Sequence, residues 1–462
     1  TSGVTYPAIT GNTFDTGYQT AVMYDAASKT SPPKYSGNAG HLDFLVTPTG
    51  EYNVRDFGAK GDAANVSTAA ITTGTTALTI GSSLFTQKDV GKTIMVAGAG
   101  AAGAVLATTI AAYVSGTAVT LTASAGTTVS AAYTEWGTDD TAAIQAALDA
   151  ASSAGGGRVR VPQGIYLTSS AIQLPNWCEL VGDHHHGTKS GGVVSVIKQK
   201  GGANIADAGV ITAKHYYDTS SPLYIGTPVA VKNLTVDGNR TYNTTSTTCD
   251  GILLMNWQSV VEDCYVLECS QDGIRNKCHN SAATVVSNTA VENRIYRNRV
   301  ENCTRHGIHN DDNFANKLTD GFCCDNLIAT CGDHGIRNIR AAGWLISGNH
   351  IYSPAKDAIR ATNAFNTRVV NNHVEQWGTA SGTYYGILVT GINIGNNSPG
   401  TIVNGNVIHS TESNVSNTYG GLYVGVSGTN IGRFAITGNT FTTAGNSAAT
   451  TKAIQYDVAS GA

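Results

Sequence analysis

The chain has 462 residues, 28 Lys+Arg against 32 Asp+Glu, a formal charge of −4 and only 13% charged residues, where ~25% is usual. Glycine, at 53 residues, is well above its usual ~7%. This excludes coiled coils and helix bundles, which need charged, glycine-poor faces; the charge gives no overall attraction to nucleic acid or to an anionic membrane, and 41% hydrophobic residues exclude disorder.

Residues 1–50, with Pro32-Pro33 and many Gly, Thr and Tyr, read as an extended N-terminal arm with no basic-then-apolar leader. In 51–62, Val54 and Phe57 are apolar anchors beside a glycine-rich turn, Gly58-Ala59-Lys60-Gly61-Asp62. Segment 63–137 is Ala/Thr/Gly-rich, and from Thr93 to Thr134 it has no charged residue. Sparse Leu, Ile and Phe, and alternation as in Thr117-Ala118-Val119-Thr120-Leu121-Thr122, favour strands over a membrane helix. Runs at 77–81, 92–97 and 117–123 then predict a small inserted β subdomain. A helix is predicted over 139–152, capped by Thr138 or Asp139, with Ile144, Ala147, Leu148 and Ala151 on one face. Gly155-Gly156-Gly157 ends it, and strands follow at 158–161 and 164–167.

Beyond residue 250 the chain repeats. A small residue followed by an apolar one recurs as Gly251-Ile252, Gly273-Ile274, Gly307-Ile308, Gly335-Ile336, Ala358-Ile359, Gly386-Ile387, Gly421-Leu422 and Ala453-Ile454, at intervals of 22 to 35 residues. Interleaved with it is Asn-x-apolar, at Asn298, Asn326, Asn349, Asn372, Asn406 and Asn439. Short strands at such a period, without a helical pattern, describe the rungs of a parallel β-helix. Stacking then brings like residues into columns ~4.8 Å apart. The Asn column becomes an amide ladder at a turn. The Ile column faces inward, and Cys269, Cys303 and Cys331, each three residues after an inward Val or Ile, form a column of buried thiols. The nine cysteines, odd in number and without metal-type CxxC pairs, are read as buried thiols and not as a disulfide framework.

The blocks Asp56-Phe57-Gly58-Ala59-Lys60-Gly61-Asp62 and Thr138-Asp139-Asp140-Thr141-Ala142-Ala143-Ile144-Gln145-Ala146-Ala147-Leu148, then the triple glycine and Val161-Pro162-Gln163-Gly164-Ile165-Tyr166, resemble the opening of the pectate-lyase-like right-handed β-helix superfamily. The resemblance covers 55–62 and 138–182, and the repeats extend it. It implies an all-β, right-handed single-stranded parallel β-helix of about ten rungs over 150–460, with an N-terminal capping helix. The expected organisation is an arm over 1–50, the β-helix from 51–62 and 138–462, and the insert 63–137. The superfamily includes polysaccharide lyases and hydrolases and phage tailspike depolymerases; tailspikes imply a homotrimer and an extracellular or virion-surface setting.

Strand side chains alternate, so the residue after each inward Ile faces out. That column reads Leu253, Arg275, His309, Arg337, Arg360, Leu388, Tyr423, Gln455, and the next includes Lys277, Asp311 and Thr362. Two unit charges 4.8 Å apart cost roughly 3.5 kcal/mol at an effective dielectric of 20, so a cation row in the middle rungs calls for anions, either protein carboxylates or a glycan carboxylate. The segment His306-Gly307-Ile308-His309-Asn310-Asp311-Asp312 is the densest titratable cluster. It is similar to the active strand of alginate C5-epimerases and related lyases, where an aromatic-Gly-apolar unit leads into Asp-Pro-His, with His309 here in the Asp place, Asn310 in the Pro place and Asp311 in the His place.

These residues predict an enzyme acting on a uronate-containing polysaccharide. β-Elimination needs a cation on the carboxylate, a base for the C5 proton and an acid for the leaving oxygen. Arg275 or Arg337 is the expected cation, and His309, facing solvent, the base. Asp311 orients His309 or transfers a proton. Lys277, Arg360, Asp312, Asp272 and Asp333 are candidate substrate-binding residues. So is Trp377, in His373-Val374-Glu375-Gln376-Trp377, by stacking on a sugar, with core packing as its alternative. Lyase action leads. The alternatives are a glycoside hydrolase using Asp311 with Asp272, Asp333 or Asp357, a non-catalytic glycan-binding fibre protein, and an epimerase or fructan transferase. No nucleic-acid partner, membrane insertion or cofactor is expected, and calcium is not indicated. Asp183-His184-His185-His186-Gly187 reads as a polar turn, because consecutive His residues alternate faces and cannot easily share one ion; no metal ligand is assigned.

Overall fold

The computed structural model describes residues 51–184, 194–219, 227–283, 290–312, 317–363, 366–390, 400–410, 418–426, 434–443 and 452–458. The expected arm, 1–50, and His185 and His186 lie outside the described residues. From Glu51 on, the chain forms three parallel sheets, one of eleven strands and two of ten, each built by stacking strands from successive turns of chain. This is the expected right-handed parallel β-helix. One turn illustrates the rest: Val260–Glu262 lies in the eleven-stranded sheet, Tyr265–Leu267 in one ten-stranded sheet and Ile274–Lys277 in the other.

The repeat residues explain the stacking. Ile252, Ile274, Ile308, Ile336, Ile359, Ile387 and Leu422 pair in register down the third sheet and are fully buried. The small residue before each is required by the neighbouring rung. A Cβ on Gly307 would lie 2.4 Å from Ile328 Cγ2 and 2.8 Å from the Gly335 carbonyl oxygen. Gly307→Ala is therefore expected to cost about 1–3 kcal/mol, measured as a lower midpoint in chemical denaturation; an unchanged midpoint would show that the rung can yield.

At the turn from the eleven-stranded sheet to the next, the Asn column forms the expected ladder. Nδ2 of Asn298 donates to Oδ1 of Asn326, that of Asn326 to Asn349, that of Asn349 to Asn372, that of Asn372 to Asn406 and that of Asn406 to Asn439, all at 2.8–3.0 Å. Each preceding residue has positive φ: Arg297, Asp325, Gly348, Asn371, Gly405 and Gly438. This left-handed step turns the chain so that each amide points along the stack.

The helix Thr141–Ser153 buries Ile144, Ala147, Leu148 and Ala151 as predicted. Its start lies two residues later than expected, with Asp140 at the cap position. The Asp140 carboxylate accepts instead from the backbone N–H groups of Lys60 and Gly61, at 2.7 and 2.9 Å. Asp62 Oδ1 accepts in turn from Thr138 N at 2.8 Å. These carboxylates clasp together the two sequence blocks that 63–137 separates. Between them the chain forms a closed antiparallel barrel of six strands, from Ala64–Ile71 to Val129–Gly137, around Leu78, Ile94, Ile110, Val119, Leu121 and Trp136. The uncharged stretch is barrel strand and turn, and among the described residues no helix is long and apolar enough to cross a membrane. The barrel meets the β-helix through the Lys198–Glu135 ion pair and the stacked rings of Tyr133 and Tyr242, 4.6 Å apart.

Candidate active site

The middle rungs of the third sheet hold the predicted columns in register. Leu253, Arg275, His309, Arg337, Arg360, Leu388, Tyr423 and Gln455 are successive partners, as are Lys277, Asp311, Ile339 and Thr362. Behind them, facing inward, Asn276 Nδ2 donates to Asn310 Oδ1 at 2.8 Å.

A further column precedes the small residue of each repeat. It reads Asp250, Asp272, His306, His334, Asp357, and each side chain accepts from the backbone N–H of the next rung. Asp250 accepts from Asp272 N at 3.0 Å, Asp272 from His306 N at 3.1 Å, His306 from His334 N at 3.3 Å, His334 from Asp357 N at 3.1 Å and Asp357 from Tyr385 N at 2.7 Å. This acceptor ladder fixes the height of each rung. It also delivers Asp272 to His309.

His309 Nδ1 lies 2.8 Å from Asp272 Oδ2. Asp272 also binds the Arg305 guanidinium, with Nε at 2.7 Å from Oδ1. Burial alone would raise the Asp272 carboxyl; His309, His306 and Arg305 outweigh it and hold the group well below 3.8. Burial lowers His309 below 6.5 despite Asp272. With Nδ1–H donating to the Asp272 carboxylate, the imidazole has its lone pair on Nε2. Among the described residues that Nε2 has no hydrogen-bond partner.

Several expectations are corrected. His309 does not face solvent; it is only 3% exposed, because Asp272, the edge-on His306 ring at 4.7 Å and neighbouring rungs enclose it. Asp311 does not orient His309. It is held by Arg275, with Nη2 at 2.5 Å and Nε at 3.2 Å from Oδ2, and Asp272 takes the orienting place. Arg275 is not an open cation, since Asp311, Asp250 and Asp272 surround it. Asp312 is fully buried and accepts from the backbone N–H groups of Lys317 and Leu318, so it shapes a turn and offers nothing to a glycan. Trp377 is only 2% exposed and belongs to the core. It follows Val374 by three residues, as Cys269, Cys303 and Cys331 follow Val266, Val300 and Ile328 in the same register. It therefore occupies the thiol column and cannot stack on a sugar. The nine cysteines form no disulfide among the described residues.

The remaining candidates divide. Asp333 pairs with Lys356 and His334, and Arg360 with Asp357. Arg337 and Lys277 differ from both, since among the described residues neither has a carboxylate partner. Arg337 Nη1 lies 3.0 Å from His306 Nε2, and burial lowers its pKa. Lys277 Nζ sits 4.8 Å over the Tyr216 ring and 3.5 Å from its hydroxyl. Burial, then Arg275, lowers its pKa to about 8. Asp250, Arg305, His334 and Tyr216 were not singled out from sequence. The first and third were legible, because Asp-Gly, Asp-Gly, His-Gly, His-Gly, Asp-Ala is itself a repeat; Arg305 and Tyr216 carry no such signal. Of the groups with metal-ligand character, Asp272, His306 and His309 bring their ligand atoms within 4.8 Å of one another, but two guanidiniums on Asp272 oppose a cation there.

Residues 132–359 match the family model described as rhamnogalacturonase A/epimerase, pectate lyase-like. This match covers just under half of the chain and, with the parallel β-helix fold, supports the resemblance to the pectate-lyase-like β-helix superfamily. The chain is similar to mannuronan C5-epimerase AlgE2 of Azotobacter vinelandii, 36% identical over 113 residues, 24% of this chain and 10% of that protein. Mannuronan C5-epimerase AlgE4 of the same organism is 35% identical over 113 residues, 24% of this chain and 19% of that protein. The matches thus span less than a fifth of these relatives. The AlgE4 A-module structure superposes with a TM-score of 0.44 at 16% identity, covering 88% of this chain and 100% of that one. A DFA-IIIase from Arthrobacter chlorophenolicus A6 does so at 0.44 and 15%, covering 69% and 88%.

Proposed function

We propose that this protein is an enzyme that modifies a uronate-containing polysaccharide by removing the C5 proton, with epimerisation as the lead outcome and β-elimination as the runner-up. The observation that carries the reading is the Asp272–His309 pair, whose Nε2 has no partner among the described residues, on a strand whose neighbouring rungs carry Lys277 on one side and Arg337 on the other, two cations without a carboxylate partner among the described residues. A glycan carboxylate held by those cations is neutralised, which acidifies C5–H. His309 Nε2 takes the proton and Asp272 stabilises the imidazolium. If the second proton, from Lys277 or Tyr216, reaches C5 on the opposite face, the sugar is inverted and no other bond breaks. If a proton goes to the leaving oxygen, the C4–O bond breaks and a C4=C5 double bond forms. Similarity to mannuronan C5-epimerases over part of the chain supports inversion as the lead. The reading includes an extracellular or virion-surface setting and a homotrimer, which sedimentation would test.

The burial of His309 favours a second reading, a glycan-binding fibre protein without turnover, since a substrate has to displace covering side chains to reach Nε2. A panel of polyuronates incubated in heavy water separates the readings. Solvent deuterium at C5 with inverted residues and no unsaturated product is the expected result. Ultraviolet absorbance of an unsaturated uronate would replace epimerisation by elimination, new reducing ends alone would indicate hydrolysis, and no change across the panel would support the fibre reading. In the same assay Arg337→Ala is expected to raise KM about tenfold, the size of one charge-assisted contact, and to make binding less salt-sensitive. An unchanged KM would remove Arg337 from the site.

A further inference from the structure

The other ten-stranded sheet carries a second cluster, remote in register from His309. His350–Tyr352, His373–Glu375 and Val407–Ser410 are successive strands, with Ile351, Val374 and Ile408 facing the core. Alternation puts His350, His373 and Glu375 on the outer face. The two imidazoles are partners in register and stack with centroids 4.8 Å apart and planes within 9°. The Glu375 carboxylate lies between them, with Oε1 3.0 Å from His373 Nε2 and Oε2 3.6 Å from His350 Nε2. Among the described residues no lysine or arginine pairs with Glu375, which is the reverse of the situation at Asp272.

We propose that His350, His373 and Glu375 bind a divalent transition-metal ion of the Zn²⁺ or Ni²⁺ class. Imidazole and carboxylate are the donors such ions take. With metal–nitrogen and metal–oxygen bonds of ~2.0–2.2 Å, adjacent donors on a shared ion stand about 3–3.5 Å apart, and the two nitrogen–oxygen separations already approach this. All three ligand atoms lie within 4.8 Å of one another. The parallel rings need to turn so that their lone pairs converge. With side chains 43% and 46% exposed, they are free to do so. His409 is the register partner of Glu375 on the next rung and offers a fourth donor. Water would otherwise complete the shell. The site is thus assembled in its donor set by the register of three rungs.

The test is calorimetric titration of Zn²⁺, and separately Ni²⁺, into the chelator-treated full chain, with thermal unfolding followed in parallel. One site of about micromolar Kd is expected, with a higher Tm in the presence of the ion. His373→Ala and Glu375→Gln, both partly exposed and expected to fold, should each weaken binding about tenfold or more and abolish the Tm shift. A variant with alanine at His184, His185 and His186 should bind as the parent does. Unaltered affinity in His373→Ala, or loss of binding in the triple variant alone, would overturn the proposal. Binding that persists in His373→Ala and disappears in His309→Ala would instead place the ion at Asp272.

Discussion

His309→Ala is expected to lower turnover on a uronate polymer by about 10²-fold or more, the scale of one lost general base, and, as a truncation of a buried side chain, to cost some stability but less than loss of the Asp272 charge. Without the imidazole, Asp272 keeps Arg305, Arg275 and the backbone N–H of His306, so no charge is left bare. Asp272→Asn should behave differently. The amide can still accept from His306 N, but two guanidiniums lose their buried counter-charge, and removing one partner of a buried pair costs ~3–5 kcal/mol. Turnover should fall at least as far, because nothing then selects the Nδ1–H tautomer. Activity and denaturation measured on both variants check this: equal destabilisation, or full activity in His309→Ala, would leave the carboxylates around Arg275 as the better centre. The pH profiles follow the same logic. Burial lowers His309, so on the acid side kcat/KM should decline only below the ordinary histidine value of 6.5, where Nε2 takes up a proton, and on the alkaline side it should decline as Lys277 loses its charge at about 8. Asp272 is held below its ordinary 3.8. Its contribution to stability is therefore fully present above that value and lost as pH falls through the folded-state pKa.

Asn349→Ala is expected to cost about 3–5 kcal/mol, more than most single substitutions. Its Nδ2 donates to Asn372 Oδ1 and to the Cys323 carbonyl, and its Oδ1 accepts from both the backbone and the side chain of Asn326. Alanine strands the Asn326 N–H and one of its amide donors, and takes one donor from the Cys323 carbonyl. Each such buried group costs ~1–3 kcal/mol when left unmade. Asn439→Ala, on the last described rung of the ladder, removes fewer bonds, in a partly exposed setting, and should cost about half as much. Chemical denaturation of the two variants measures the difference. Equal costs would mean that the ladder acts as separate turns and not as one stack.

The architecture was legible because the rungs repeat. Gly-Ile and Asn-x-apolar recur often enough that register follows from counting, and the outward column from Leu253 to Gln455 is the one the structure holds. The same counting, carried through to Val374 and Trp377, would have placed Trp377 in the thiol column; its aromatic character drew attention away from its spacing. What counting cannot supply is the direction in which a polar side chain finds its partner. His309 and Asp311 lie two residues apart on one strand, yet His309 pairs with Asp272 on the rung before, and Asp311 with Arg275. Parallel stacking brings residues more than thirty positions apart to ~4.8 Å, closer than next-but-one neighbours along a strand. Spacing along the chain is enough to say which residues share a column. Which columns meet and which are covered is settled in the folded stack, because ion pairing and burial depend on neighbouring rungs and on connections of unequal length between them.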